Sequence, residues 1–136
     1  MTDPVIYANP AGLASPIGLY SHIARVAPAR MVFVAGQLSV DGQGQVVGAG
    51  NFEEQMRRVF ENLGVALQSE GLSFASIAQM TTYLVGEETI SDFYRVREEL
   101  FATLYPDGKY PPNTLLVIGR LVRPEFLIEV QCAAAG

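Results

Sequence analysis

The stretch NFEEQMRRVFENLGVALQSEG, residues 51–71, is the segment that says most about the fold of this 136-residue chain. Its apolar residues recur at spacings of three and four, which places them on one face of an α-helix. They are Phe52, Met56, Val59, Phe60, Leu63 and Leu67. Asn51, with Glu54 three residues later, is the predicted N-cap, and Gly71 is predicted to end the helix. The apolar face of such a helix has to cover another element.

A second helix is predicted from TISDFYRVREELFATLYPDG, residues 89–108. Thr89 and Ser91 are its candidate caps, and Pro106 with Gly108 stops it. Its predicted apolar face consists of Ile90, Phe93, Val96 and Leu100.

Runs of apolar and β-branched residues predict the strands that the helices cover. They are Tyr20–Val26, Met31–Leu38, Ile77–Val85, 113–121 and 126–134, and Val5–Ala8 is a candidate for a short one. The first two are expected to be joined at 28–30. The order β-β-α-β-α-β-β predicts a single α+β domain over residues 1–136, with the two helices on one face of the sheet.

Two of these strands are apolar on both faces, Met31–Ala35 and Leu115–Ile118. If the helices cover one face of the sheet, a single chain leaves the other as an exposed apolar patch. Copies of the same chain covering that face are the simplest solution. The sequence therefore predicts a homo-oligomer whose sites lie at subunit boundaries.

Composition excludes several classes of function. The net charge of −5, with nine scattered basic residues, argues against nucleic-acid and anionic-membrane surfaces. One histidine and one cysteine exclude a His/Cys metal site of familiar spacing and an intramolecular disulfide. The GQGQVVG segment, residues 42–48, fits a turn better than a dinucleotide fingerprint. We expect a cytoplasmic protein without a cofactor or metal.

Glu129 is the most informative polar residue because it interrupts an apolar strand. By alternation it shares a face with Leu127, Gln131 and Ala133. A carboxylate buried there costs free energy without partners, and its pKa rises, which suits a general acid or base. A solvated or ion-paired glutamate in an edge strand is the other interpretation.

Tyr20 and His22 stand together at the start of a predicted strand, two residues apart and so on one side of it. A phenol and an imidazole placed there can line a cleft. Half-buried packing for Tyr20, and a surface or hydrogen-bonded position for His22, are the alternatives. Cys132 is expected to pack as a small apolar residue.

Five segments occur in the order and spacing of one known family: SPIGLYSHI (15–23), MVFVAGQLSVDGQG (31–44), EEQMRRVFENLGVALQSEGLSFASIAQMTTYLV (53–85), SDFYRVREELF (91–101), and YPPNTLLVIGRL with FLIEVQCAA (110–121 and 126–134). In these the chain resembles the Rid/YjgF family over essentially its whole length. The Gln-x(6)-Asn-Leu helix pattern (55–63) is among the most specific parts of the resemblance. The resemblance implies a chorismate-mutase-like α+β domain with a mixed sheet. It also implies a homotrimer with three clefts between subunits.

Members of the best-known Rid subgroup hydrolyse reactive enamines and imines, such as 2-aminoacrylate, to 2-oxo acids and ammonia. The resemblance implies that Tyr20 and Glu129 are catalytic residues here, and that Gly36, kept beside Gln37, lines the cleft. His22 is a further candidate for the cleft.

Three family positions differ in this chain. Ala35 stands where the family has a serine, Leu115 where it has a cysteine, and Asn113 where an arginine binds the substrate carboxylate. An amide offers neutral hydrogen bonds in place of a charged bidentate contact. We therefore expect Asn113 and Thr114 to contact a neutral polar group, in a pocket that Ala35 and Leu115 make more apolar.

The sequence thus predicts a divergent Rid-type hydrolase or deaminase acting on a small imine or enamine other than 2-aminoacrylate. A trimer that binds a small metabolite without turning it over, or an accessory protein of another enzyme, is the competing prediction. An RNA-cutting role finds no support in an acidic chain without a basic face.

Overall fold

The computed structural model describes residues 4–27 and 30–136, and six strands, two α-helices and one short 3₁₀ helix (Phe74–Ser76) lie in these two ranges. The strands are β1 (Val5–Ala8), β2 (Ile23–Val26), β3 (Met31–Gln37), β4 (Ile77–Val85), β5 (Asn113–Ile118) and β6 (Ile128–Ala135). The helices are α1 (Phe52–Ser69) and α2 (Thr89–Leu104). Neither helix is long and apolar enough to span a membrane.

The main sheet has the strand order β3-β6-β4-β5. Strands β4 and β5 run parallel, whereas β6 is antiparallel to both β3 and β4. β6, the last strand of the chain, is therefore an interior strand, and the other three cannot form one sheet without it. β1 and β2 form a separate antiparallel pair. The predicted α+β class with a mixed sheet is confirmed.

The predicted strand Tyr20–Val26 is too long. It begins at Ile23, so Tyr20 and His22 precede it, and the alternation argument does not apply to them. Its partner is β1, because Tyr7 of β1 pairs with Ala24, and it forms no hairpin with β3. Of the predicted junction at 28–30, residues 28 and 29 lie outside the described residues.

The prediction for α1 is confirmed. The Asn51 side chain accepts a hydrogen bond from the backbone N–H of Glu54 at 3.0 Å, and Gly71 has the positive φ of 72° that ends many helices. All six residues of the predicted apolar face are buried, with exposed fractions of 7% or less. These residues pack over β6 and β3. Buried residues of α2 belong to the same core cluster, so both helices lie on one face of the sheet.

The predictions for α2 need two corrections. Thr89 is its first residue and Ser91 lies inside it, while the N-cap position belongs to Glu88. Thr89 instead donates its hydroxyl hydrogen to the carbonyl of Gly86 at 2.6 Å, which tightens the turn before the helix.

The buried face of α2 is also rotated from the predicted one. Phe93 and Val96 are buried as predicted, but Ile90 and Leu100 are only half-buried. Arg97 and Phe101 are buried in their place. The hydrophobic pattern could not show this, because it assigns a charged residue to the solvent side of a helix by default.

The opposite face of the sheet is uncovered in the single chain. Phe33 on β3 is 78% exposed, and Leu116 on β5 is 43% exposed. A depression of about 390 Å³ runs across this face between Phe33, Ala35 and Gln131. We call this side of the sheet the uncovered face. Its exposed apolar side chains are those predicted from the sequence.

Gln55 fixes the start of β6. Its side chain is fully buried in α1, and its Nε2 donates to the carbonyls of Gly48, at 3.1 Å, and Glu125, at 2.9 Å. Its Oε1 accepts from the N–H of Leu127, also at 2.9 Å. One amide thus forms hydrogen bonds with three backbone groups. Two of these groups belong to the segment that leads into β6.

We expect Gln55→Leu to lower the free energy of unfolding by about 3 kcal/mol, because leucine removes the three hydrogen bonds that the buried amide forms with the backbone. Urea denaturation followed by circular dichroism measures the change. The matched control is Gln68→Leu, an exposed glutamine of the same helix, for which we expect a change within about 0.5 kcal/mol. Equal stability of the two variants would contradict the assigned role of Gln55.

Candidate functional site

Glu129 lies in β6, opposite Tyr83 of β4, and projects onto the uncovered face. Its carboxylate packs against the backbone of Gly36, and a Cβ added at that glycine would overlap it. The close approach coincides with an irregularity in the pairing of β3 with β6, between Val34 and Gln37. A side chain at position 36 would therefore displace the Glu129 carboxylate from this place.

The surroundings of the Glu129 carboxylate favour its protonated form. It forms no ion pair with any residue in the two described ranges. Partial burial raises its pKa, and no neighbouring charge opposes the shift. Ala35 is close by on the same face, where its carbonyl accepts from the Gln37 side chain at 3.1 Å. Glu129, Gly36 and Ala35 thus form one group.

Tyr20 and His22 contact each other in the segment that leads into β2. Their rings meet edge to face with centroids 5.7 Å apart, and both side chains are half-buried. Nε2 of His22 lies 2.7 Å from the carbonyl of Ala14, so this hydrogen bond fixes the ring. The N–H of Ser21 donates to the carbonyl of Pro111 at 3.4 Å and ties the segment to the chain just before β5.

Asn113 is the first residue of β5, and its side chain turns toward the helices. In the parallel register it lies beside Met80, a core residue of β4. Its Oδ1 accepts a hydrogen bond from the hydroxyl of Thr82, which is 1% exposed, at 2.8 Å. Leu115 shares this side and packs against the core, whereas Thr114 lies beside Thr81 on the opposite face.

The predicted site residues therefore form two groups in one chain. Glu129, Gly36, Ala35 and Thr114 belong to the uncovered face. Asn113 and Leu115 lie on the helix side of β5, next to the segment that carries Tyr20 and His22. Because the sheet separates the two groups, a single chain does not bring Asn113 and Glu129 into one pocket.

Arg97 is a functional candidate that the sequence reasoning missed. It lies on the buried side of α2 with an exposed fraction of only 4%. Its Nε has no hydrogen-bond partner among the described residues, and burial lowers its pKa. The only local signal was its spacing, since Arg97 follows Phe93 by four residues and so falls on the same face of the helix.

Other arginines have partners of their own. Arg30 pairs with Glu70 at 2.6 Å, and Arg95 pairs with Glu53 at 2.9 Å. Arg120 donates to the carbonyls of Leu121 and Val122. Their guanidinium groups therefore already have hydrogen-bond or ion-pair partners.

The described residues contain no group of three or more His, Cys, Asp or Glu side chains that could hold a metal ion. Cys132 is buried in the core, and burial raises the pKa of its thiol to about 11. It is therefore protonated at neutral pH and is a poor nucleophile.

Comparison with known proteins agrees with this architecture. Residues 12–136 match the family model described as Endoribonuclease L-PSP. A RutC family protein of Synechocystis sp. is 28% identical over 89 residues, and this alignment covers 65% of each chain. The curated relative is therefore matched over just under two thirds of its own length.

Two solved structures share the fold. The chain matches YyfB of Yersinia pestis, described as a Rid family protein of unknown function, with a TM-score of 0.88 and 23% identity over 98% of this chain and 99% of that one. It matches Escherichia coli TdcF with bound serine with a TM-score of 0.70 and 23% identity, over 100% and 96% of the two chains. From its match to the family model, the chain belongs to the Endoribonuclease L-PSP family, that of the Rid/YjgF proteins.

Proposed function

We propose that this protein hydrolyses a small imine or enamine to a carbonyl compound and ammonia, with Glu129 as the general acid and base. The observation that carries the proposal is the environment of the Glu129 carboxylate. Its carboxylate is partly buried beside Gly36, lacks an ion-pair partner in the described ranges, and has a raised pKa. A carboxyl group whose pKa moves toward neutrality both accepts and donates protons efficiently.

The reaction needs one water and two proton transfers. Glu129 accepts a proton from the water as its oxygen adds to the imine carbon, and the proton passes to the imine nitrogen. The resulting carbinolamine then passes its hydroxyl proton through Glu129 to the nitrogen, so that the C–N bond breaks, ammonia leaves and the C=O bond forms. Tyr20 would hydrogen-bond the substrate, and Asn113 would contact a polar group that it carries.

The two groups of site residues suit a cleft between copies of the chain. Glu129 of one copy would meet Tyr20 and Asn113 of the next, in a homotrimer that buries the uncovered face. The exposed apolar side chains of that face, Phe33 above all, support this assembly. The TdcF structure holds bound serine, which supports a small metabolite as the ligand.

A metabolite-binding protein without turnover is the second candidate. The absence of polar side chains at Ala35 and Leu115 favours it, because these positions offer no group to a reacting substrate. The family's descriptive name refers to cleavage of RNA. The net charge of −5 and the pairing of Arg30, Arg57 and Arg95 with carboxylates do not favour that activity.

We expect little ammonia release from 2-aminoacrylate generated in situ with the native protein, because no cation at position 113 holds its carboxylate so that the reacting carbon faces Glu129. We expect clear release with Asn113→Arg, which supplies a charged contact for the carboxylate at that position. Adding Glu129→Gln to that variant should lower turnover about 10²- to 10⁴-fold with little change in affinity. Adding Glu125→Gln, at an exposed glutamate, is the control. Full activity with Glu129→Gln contradicts the proposed mechanism, and no release by any variant favours the binding protein.

The pH dependence of that activity reports on Glu129. A base acts in its deprotonated form, so a raised pKa moves the rising limb of the pH–rate profile to higher pH. We expect its midpoint above the ordinary glutamate value of 4.5. A limb at or below 4.5, or the same limb in the Glu129→Gln variant, would assign it to another group.

Burial of the uncovered face sets the oligomeric state. We expect the native chain to sediment as a trimer, and Phe33→Glu to dissociate it by placing charge in an apolar contact. The control is Val65→Glu on the outer side of α1, where valine is 67% exposed. A native monomer, or dissociation only with Val65→Glu, would contradict the assembly.

A further inference from the structure

We propose that Arg97 binds the carboxylate of this protein's ligand, so that the ligand is a small carboxylic acid held from α2 and not from position 113. The inference rests on the proposed function only in taking Tyr20 to line the ligand cleft.

The guanidinium of Arg97 lies against two aromatic rings. Its Cζ is 4.9 Å from the ring centroid of Phe93 and 5.0 Å from that of Tyr94, within the range of cation–π contacts. Such contacts use no N–H donor, and Nε of Arg97 has no hydrogen-bond partner among the described residues. An edge with parallel N–H donors matches the two oxygens of a planar carboxylate.

The charge of Arg97 has no counter-ion among the described residues. None of the ion pairs within residues 4–27 and 30–136 includes it. The titratable groups beside it are the phenols of Tyr20, Tyr94 and Tyr110, and no carboxylate is among them. Although burial lowers its pKa, arginine ordinarily titrates far above neutrality and stays cationic. A buried cation of this kind is stabilised when an anion binds beside it.

Arg97 also lies next to Tyr20, the residue that is proposed to line the cleft. A Cβ placed on Gly18 would lie 2.7 Å from its Nη2 and 3.8 Å from the Tyr20 ring, so the guanidinium and the phenol meet at this glycine. Gly18 and Tyr20 are only half-buried, so the guanidinium lies close beneath the surface. A substitution at position 18 would close this approach.

The start of β5 borders the same region. Tyr110 stacks on Phe101 of α2 with ring centroids 5.8 Å apart, and Asn113, three residues later, faces the helix side of the sheet. The positive charge that residue 113 does not supply is thus present in the neighbouring helix. A ligand that uses both residues places its carboxylate at Arg97 and a neutral polar group at Asn113.

Calorimetric titration with pyruvate and with its neutral amide, pyruvamide, tests the proposal on the full-length protein. We expect pyruvate to bind at least about tenfold more tightly than pyruvamide, because only the anion pairs with the guanidinium. Arg97→Gln should remove this preference and Arg97→Lys should keep part of it. Arg95→Gln, two residues away in an exposed ion pair, should leave it unchanged.

Equal binding of acid and amide by the native protein would overturn the proposal, as would an unchanged preference in Arg97→Gln. If Arg97→Gln does not fold by circular dichroism, Gly18→Val decides, because it blocks the guanidinium without removing it and should abolish the preference. Inorganic phosphate binding as tightly as pyruvate would identify a general anion site and overturn the carboxylate class. These readouts need no turnover, so they remain decisive even if ammonia release is never observed.

Discussion

The buried amide of Gln55 is the interaction on which the rest of this structure depends. It binds the segment just before β6 through the carbonyl of Glu125 and the N–H of Leu127. β6 in turn joins β3 to β4, so its register determines the whole sheet. A slip of one residue would turn Ile128 and Val130 out of the core and Glu129 into it. The amide that holds the fold therefore also sets the direction of the proposed acid–base group.

The same register explains why one chain holds two incomplete groups of site residues. Alternation along β6 sends Glu129 to the uncovered face, and the parallel pairing of β4 with β5 sends Asn113 to the helix side. Exposed apolar side chains surround the first group. Tyr20 and the buried Arg97 border the second. In this account the apolar contact between copies stabilises the oligomer and completes the cleft at once.

Much of the fold could be predicted because its signals are local. The caps and face of α1 follow from spacing within one segment, and the alternation in β6 follows from its own sequence. The surroundings of Tyr20 and Asn113 could not be predicted in this way, because they depend on pairing with distant strands. The strand predicted from Tyr20 begins only at Ile23, because its pairing with β1 sets its length. The face on which Asn113 lies depends on the register with β4, which a single strand does not encode.

Arg97 shows the same limit in a helix. Its position predicts burial, but its charge predicts exposure, and only the rings of Phe93 and Tyr94 together with Gly18 decide between them. The residues assigned by family resemblance, Tyr20 and Glu129, were found from motifs spread over the chain. Arg97 lies in the segment 91–101 that carries the resemblance, but the resemblance implied no role for it, so contacts in the folded chain were needed to identify it.

A mixing experiment tests the central claim, that each cleft combines groups from two copies, most directly. Native chains are refolded in equal amounts with chains that carry both Asn113→Arg and Glu129→Gln, each form being inactive alone toward 2-aminoacrylate. If clefts form between copies, about one in four joins the substituted position 113 to an intact Glu129. The mixture should then show about a quarter of the activity of the Asn113→Arg protein. A mixture no more active than its two components would contradict the account and place the whole site within one chain.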